Sequence, residues 1–292
     1  MLLEPCRGTG RLVAGRPFVV GGKSRKTTSL VGEIDAFNGK ATWMIDQTPP
    51  TLANDSINQV IAMEFSEQGE GEHASVASFA RHTLQLLNIG APSELLMSSQ
   101  KAAIDEIRHA KMCYGLAAAF FGWDVQPSSL DIEGSVKSSS KGEIIQSVIN
   151  EGCIGETIAA VRAQLGSQYA KQPMVKDALA RIAVDESSHA QLAWNTVQWA
   201  IERYPELRGI AEETFRVQLD RPITSLNNIL MDHCDDCERD SALRDHGLLL
   251  DVDQDSTETF GLKNVIEPVV KHGFQNVDMI SKQILNMDLM KY

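Results

Sequence analysis

Two stretches of this sequence carry the same pattern. Asp105-Glu106-Ile107-Arg108-His109-Ala110 and Asp185-Glu186-Ser187-Ser188-His189-Ala190 both read D-E-x-x-H-A. A Glu and a His three residues apart lie on one face of a helix, so each pair can grip a metal ion through one oxygen and one nitrogen donor. Upstream of each motif stands a carboxylate among small residues, in Gly71-Glu72-His73-Ala74 and in Gly155-Glu156-Thr157-Ile158. The gap is 34 residues from Glu72 to Glu106 and 30 from Glu156 to Glu186, which a helix–turn–helix pair needs to bring both groups to similar height. The chain thus holds a pseudo-repeat, Glu on one helix and Glu-x-x-His on the next, twice over. A lone E-x-x-H is a common solvated pair; the duplication with a correctly spaced upstream Glu sets this case apart. Four carboxylates inside a helical core without cations would raise one another's pKa or force protonation. Two divalent cations neutralise them in formal charge. Carboxylate-rich O/N donors suit redox-active iron better than zinc, with manganese or a mixed manganese–iron pair as the other choices.

The elements that must position these groups are helical. Ile57, Val60, Ile61, Phe65, Val76, Phe79 and Leu84 recur at helical spacing over residues 55–88. Gly69 and Gly71 interrupt that stretch, at about 1 kcal/mol each relative to Ala, and predict a kink or a helix start near Glu70. Asn88-Ile89-Gly90 and then Pro92 stop one helix and start another, over 93–121. Residues 122–141 read as a long loop, suited to a crossover between two helix pairs. A third helix is predicted over 142–170 and, after Gln172-Pro173, a fourth over 173–203, ended by Tyr204-Pro205. The expected fold is therefore all-α, with residues 54–205 as the helical domain that holds the dimetal site. Residues 1–53 form an N-terminal arm or small β ribbon, in which Gly21-Gly22 turns a hairpin. Residues 206–292 form a C-terminal helical extension, clearest at 262–288.

This arrangement resembles the ferritin-like diiron-carboxylate superfamily over about residues 60–203. The resemblance implies a ferritin-like four-helix bundle with a crossover loop, in which one Glu from each of two helices and Glu-x-x-His from the other two bind the metals. Carried over, the ligands are Glu72, Glu106, His109, Glu156, Glu186 and His189. Family members often use the acid before the motif Glu to hold a ligand His. That role falls to Asp105 and Asp185, with Asp105 on His189 and Asp185 on His109 by the pseudo-twofold relation. The resemblance further implies dioxygen or peroxide chemistry at two iron ions, with dioxygen as co-substrate. Arylamine N-oxygenases of the superfamily carry an extra His four residues before the last motif Glu; here that residue is Ile182, so that chemistry is not carried over. Glu151, five residues before Glu156 and about 140° round an α-helix, stays open as a surface residue, a neighbour of the ligands, or the true third-helix ligand.

Three functions compete. An oxygenase or oxidase acting on a small organic molecule is favoured by the arm and the tail, which a minimal bundle does not need. Ferroxidase or peroxide scavenging is the second, and a non-catalytic metal-stabilised interaction protein the third. Small residues near the ligands, Gly152, Cys153, Ala159, Ala160 and Ala193, leave room for dioxygen or substrate, or else let helices pack closely. Cys113 and Cys153 read as buried small hydrophobes, and Tyr114 and Tyr169 as core. His82, His246 and His272 have no motif around them, so surface or structural roles are preferred. Asp251-Val252-Asp253-Gln254-Asp255 starts like a calcium loop but has Ser256 for the required Gly and Leu262 for the final Glu. Cys234 and Cys237 lack the second pair that a zinc site needs, which also excludes a rubredoxin module.

A net charge of −12 argues against a nucleic-acid partner. The longest apolar run, Cys113 to Trp123, is too short to span a membrane. The start MLLEPCRGTG lacks the apolar stretch of a signal peptide, and five cysteines do not resemble a secreted disulfide framework. These features predict a cytoplasmic protein with a small-molecule substrate, an unidentified electron donor, and room for a homodimer.

Overall fold

The computed structural model describes residues 16–31, 43, 55–136, 139–221, 237–274 and 277–286. Most of the predicted arm at 1–53 lies outside the described residues, as does Cys234. Within the described part of the arm, β1 (Val19–Val20) and β2 (Lys23–Ser24) pair antiparallel. Gly21 and Gly22 turn between them at φ 59° and 76°, the left-handed pair that a two-residue hairpin turn demands. Strand β3 (Ser29–Val31) pairs antiparallel with β4 (Val125–Pro127). The stretch 122–141 is therefore not loop throughout, because β4 gives the arm an edge to pair with.

The rest is mostly helical. Helix α1 runs Asp55–Asn88 without a break, so there is no helix start near Glu70. The glycine at 69 serves a different need: a methyl there would meet the Tyr114 ring at 2.9 Å, so its absence lets α2 come close. Helix α2 spans Ser93–Phe121 and is closed by Gly122 at φ 71°, the left-handed cap that glycine takes without strain. Helix α5 spans Pro173–Arg203 with proline in its first turn, where a missing N–H costs nothing.

The predicted helix over 142–170 is not one α-helix. Helix α3 (Lys141–Ser147) starts with a reciprocal capping box between Ser140 and Glu143. A π-helical segment follows over Val148–Glu156, and α4 (Thr157–Tyr169) returns to α geometry. A π turn widens the helix by bonding each N–H five residues back, and such turns often mark functional positions.

Helix α1 packs on α2, α4 and the π segment pack on α5, and α2 meets α5. The largest apolar cluster lies on the α4–α5 side, where Trp194 stacks on Phe215 at 5.0 Å. Helix α6 (Arg208–Leu219) supplies Phe215, and the tail adds Ile266, Ile280 and Ile284 to the same core. The tail therefore shares buried apolar surface, the main stabilising term in folding, with α4 and α5. It is more divided than one helix over 262–288. After α7 (Cys237–Asp245) and α8 (Asp251–Phe260), a second π segment (Gly261–Ile266) leads into α9 (Glu267–Lys271). Gly273 and Phe274, at φ 64° and 65°, turn the chain before α10 (Ile280–Leu285). Asp253 pairs with Arg244 at 2.9 Å, as a charged helix entry rather than a calcium loop. Among the described residues, no helix is long and apolar enough to cross a membrane.

Candidate metal centre

Each of four helical elements delivers one carboxylate to the same buried place: Glu72 from α1, Glu106 from α2, Glu156 from the end of the π segment, and Glu186 from α5. All four are fully buried, with His109 and His189 beside them. The groups form two quartets, Glu72-Glu106-His109-Glu186 and Glu106-Glu156-Glu186-His189. Within each, one donor atom per residue lies within 4.8 Å of the others. A cation bonded at about 2.1 Å sets its donors up to about 4 Å apart, so small side-chain shifts complete each shell. Glu106 and Glu186 belong to both quartets, the arrangement that two cations bridged by shared carboxylates require. All six candidate ligands from the sequence are thus brought together.

The imidazoles are oriented for this. Nδ1 of His109 lies 3.3 Å from Glu186, 3.6 Å from Glu106 and 3.7 Å from Glu72. Nδ1 of His189 lies 3.1 Å from Glu106 and 3.6 Å from Glu186. The opposite nitrogens face aspartates. Nε2 of His109 is 3.3 Å from Asp185 and Nε2 of His189 is 3.7 Å from Asp105; the first distance is a hydrogen bond and the second is longer than one. Each aspartate is neutralised from outside, Asp185 by Arg181 at 2.7 Å and Asp105 by Arg108 at 2.6 Å and Lys101 at 3.6 Å.

The protein alone does not satisfy this cluster. Among the described residues, neither oxygen of Glu106, Glu156 or Glu186 has a hydrogen-bond partner, and Nδ1 of both histidines is also without one. Burial pushes the Glu72 carboxyl well above the usual range, helped by the charges of Glu106 and Glu186. Burial, then Glu186, does the same to Glu156. Burial works against protonation of His109 and His189, yet the surrounding carboxylates outweigh it and hold both well above the ordinary histidine range. Buried polar groups are normally paired, and orphaned carboxylates in this number call for cations. The donor set is all oxygen and imidazole nitrogen, which suits iron or manganese. Cys113 and Cys153 are free and buried, with their thiols pushed up by burial, and neither belongs to the two quartets. The Tyr114 phenol is also buried and raised by burial.

Glu151 does not join the cluster. Its carboxylate pairs with Arg16 at 3.2 Å and Arg81 at 3.1 Å. Both residues lie in the π segment, with Glu156 in a quartet and Glu151 against the two arginines. The small residues near the ligands serve close packing at one position at least: a methyl on Gly152 would lie 2.5 Å from Cβ of Ala193. Gly152→Ala is expected to destabilise the fold by about 1–3 kcal/mol, seen in denaturant melts. It should also weaken the quartet that holds Glu156 and His189, because the π segment must shift away from α5.

Sequence reasoning missed the charged group of Arg16, Arg81 and Glu151, and His82 close to the two arginines. Arg16 and His82 are almost fully enclosed, and His82 thus occupies an interior place rather than a surface one. No motif joins these single residues from separate elements. A cavity of about 150 Å³ between α2 and α5 is lined by Asp105, His189 and Lys101, among others, and opens the outer side of one quartet. Comparison of the chain with protein-family models, with curated proteins and with solved structures found no match.

Proposed function

We propose that this chain is a ferritin-like diiron-carboxylate oxidoreductase that uses dioxygen to oxidise or oxygenate a small organic substrate. The observation that carries the reading is the pair of fully buried quartets sharing Glu106 and Glu186. In this reading α1, α2, the π segment with α4, and α5 form the four-helix bundle. Glu106 and Glu186 would be shared between two ions, with Glu72 and His109 holding one of them and Glu156 and His189 the other. Two bound iron ions supply the electron transfer and oxygen activation that side chains cannot perform.

The chain's own residues hold and tune the centre. Asp185 accepts the Nε2 proton of His109, which fixes the tautomer that leaves the Nδ1 lone pair facing the carboxylates. Asp105 faces Nε2 of His189 at 3.7 Å, too far for the same hydrogen bond. The edge of Phe79 packs on the His189 ring at 5.1 Å and keeps water from that side. Although burial opposes it, His189 and then Lys101 hold the Asp105 carboxyl down at about 2, and His109 and then Arg181 lower Asp185 in the same way.

One observation favours a second reading, ferroxidase or peroxide reduction without an organic substrate. The cavity of about 150 Å³ beside Asp105 and His189 suits water, dioxygen or peroxide better than an organic molecule. The test is elemental analysis of the purified chain, followed by dioxygen addition to the anaerobic Fe(II)-loaded form while the visible spectrum is recorded. About two irons per chain with a transient absorption band supports the oxygen-activating enzyme. The same iron content with slow, featureless oxidation favours scavenging. No stoichiometric metal after iron or manganese loading of folded protein overturns both and leaves an interaction protein.

A further inference from the structure

One helical turn from the carboxylate cluster, the molecule buries a second group of charges. The guanidinium of Arg16 is 1 % exposed and donates from Nε to Glu151 at 3.2 Å. Arg81 Nη2 donates to both oxygens of the same carboxylate at 3.2 and 3.1 Å, and Ser78 Oγ donates to it at 3.3 Å. Two guanidinium groups thus face one carboxylate, which leaves a net positive charge. Arg16 Nη2 has no partner among the described residues. His82 is fully buried, and neither ring nitrogen has a partner among the described residues. Burial, then the charges of Arg16 and Arg81, hold its pKa well below the usual range, so it stays neutral with one donor and one acceptor to offer. A buried, half-paired cation is costly, and an anion removes that cost.

The cluster has an entrance. A cavity of about 190 Å³ is lined by Arg81 and Glu151, by Val20 and Gly21 of the hairpin and by Ser147, with Arg16 behind Glu151 and outside the lining. Glu143 also borders it, but its carboxylate is engaged by the N–H and Oγ of Ser140 at 2.8 and 2.7 Å. Glu151 is 12 % exposed in that lining.

We propose that the Arg16–Arg81 pair is a recognition site for a small monocarboxylate, and that Glu151 is its internal stand-in. Glu151 swings into the cavity and the ligand's carboxylate takes its place on the two guanidinium groups, which match a planar carboxylate through paired N–H bonds. With the ligand in place, two positive charges meet two negative ones, the displaced Glu151 included, and the charge closes. Phosphate is excluded on both counts: its tetrahedral oxygens exceed the space that a carboxylate vacates, and its charge of nearly −2 overshoots. This site stands whether or not the neighbouring cluster binds metal.

The test is calorimetric titration of the full chain with sodium butyrate at pH 7 and constant ionic strength, before and after chelation. Inorganic phosphate and chloride serve as controls. The expected result is one saturable butyrate site that survives chelation. Glu151→Gln binds butyrate about tenfold more tightly, a gain of about 1.4 kcal/mol, because a neutral amide competes less well for the arginines. Arg81→Gln, folded by circular dichroism, loses the site. Absence of saturable binding in the parent chain overturns the proposal. So does butyrate binding that Arg81→Gln leaves intact, which would place the ligand elsewhere, or phosphate binding of equal strength. If Glu151→Gln does not fold, the parent and Arg81→Gln titrations decide.

Discussion

Glu106→Ala and Glu186→Ala are each expected to lower the metal content from about two ions per chain to well below one, whereas Glu72→Ala and Glu156→Ala each leave one ion bound. The asymmetry follows from membership in the two quartets. Glu106 and Glu186 stand in both, while Glu72 and His109 stand in one, and Glu156 and His189 in the other. Removing a shared carboxylate takes a donor from both cations at once. It would also remove negative charge that offsets the repulsion between two neighbouring dications. Removing an unshared ligand damages one shell. Loss of a group that only supports a ligand already weakens metal binding about 10–100-fold, so loss of a ligand itself should exceed that. His109→Ala and His189→Ala should follow Glu72 and Glu156. Elemental analysis after loading and gel filtration reads the result directly. Equal metal loss in all four Glu variants would show that the quartets do not act as two shells, and full retention in all would show that the cluster is not the metal site.

Stripping the metal by chelation is expected to lower the melting temperature by on the order of 10 °C at neutral pH, and the loss should grow as the pH rises. The magnitude follows from binding linkage, about 4 kcal/mol when free metal exceeds its dissociation constant a thousandfold, at about 2–4 °C per kcal/mol for a chain of this size class. The pH dependence follows from the groups in the cluster. In the metal-free chain Glu72 and Glu156 keep their protons above the ordinary value of 4.5. Their contribution to stability is therefore full below that value and is lost as the pH rises through their folded values. His109 and His189, held above the ordinary 6.5, contribute fully below 6.5 and lose that contribution as the pH rises. Both pairs make the metal-free fold weaker as the pH rises from acid through the neutral range. Asp105 and Asp185 are shifted down, as is Glu186, where burial is outweighed by Glu156 and the two imidazoles. Their contributions are already full in the neutral range and fall only in acid. Cations compete with the same protons, so metal binding strengthens as the pH rises. Melting curves with and without chelator from pH 5.5 to 8 should therefore diverge upward. A gap that stays constant or narrows would show that the cations bind elsewhere.

Much of this was legible in the amino-acid order because it depends on local geometry. The three-residue spacing of Glu106 with His109 and of Glu186 with His189 puts each pair on one face of any α-helix. Recurrence of the pattern with Glu72 and Glu156 upstream marked the candidate ligand set before any packing was known. The ends of α2 and α5 were readable from Gly122 and Pro173, and the hairpin from Gly21-Gly22, because these residues have conformational limits of their own.

What only the tertiary structure decided depends on partners far along the chain. Gly69 is a helix breaker by propensity, yet α1 runs through it, because the Tyr114 ring occupies the space a side chain would need. Packing overrides a preference of about 1 kcal/mol. The π segment left no readable mark, because over nine residues its wider turn is too short a stretch to be told from an α-helix by apolar spacing. In the folded chain it lies with Gly152 against Ala193, a contact between residues 41 positions apart, and there Glu156 meets the other ligands while Glu151 faces two arginines. Arg16, Arg81, His82 and Glu151 share no motif. Their meeting is set by the burial of the arm against α1 and the π segment, and no local rule encodes an encounter among residues drawn from three separate elements.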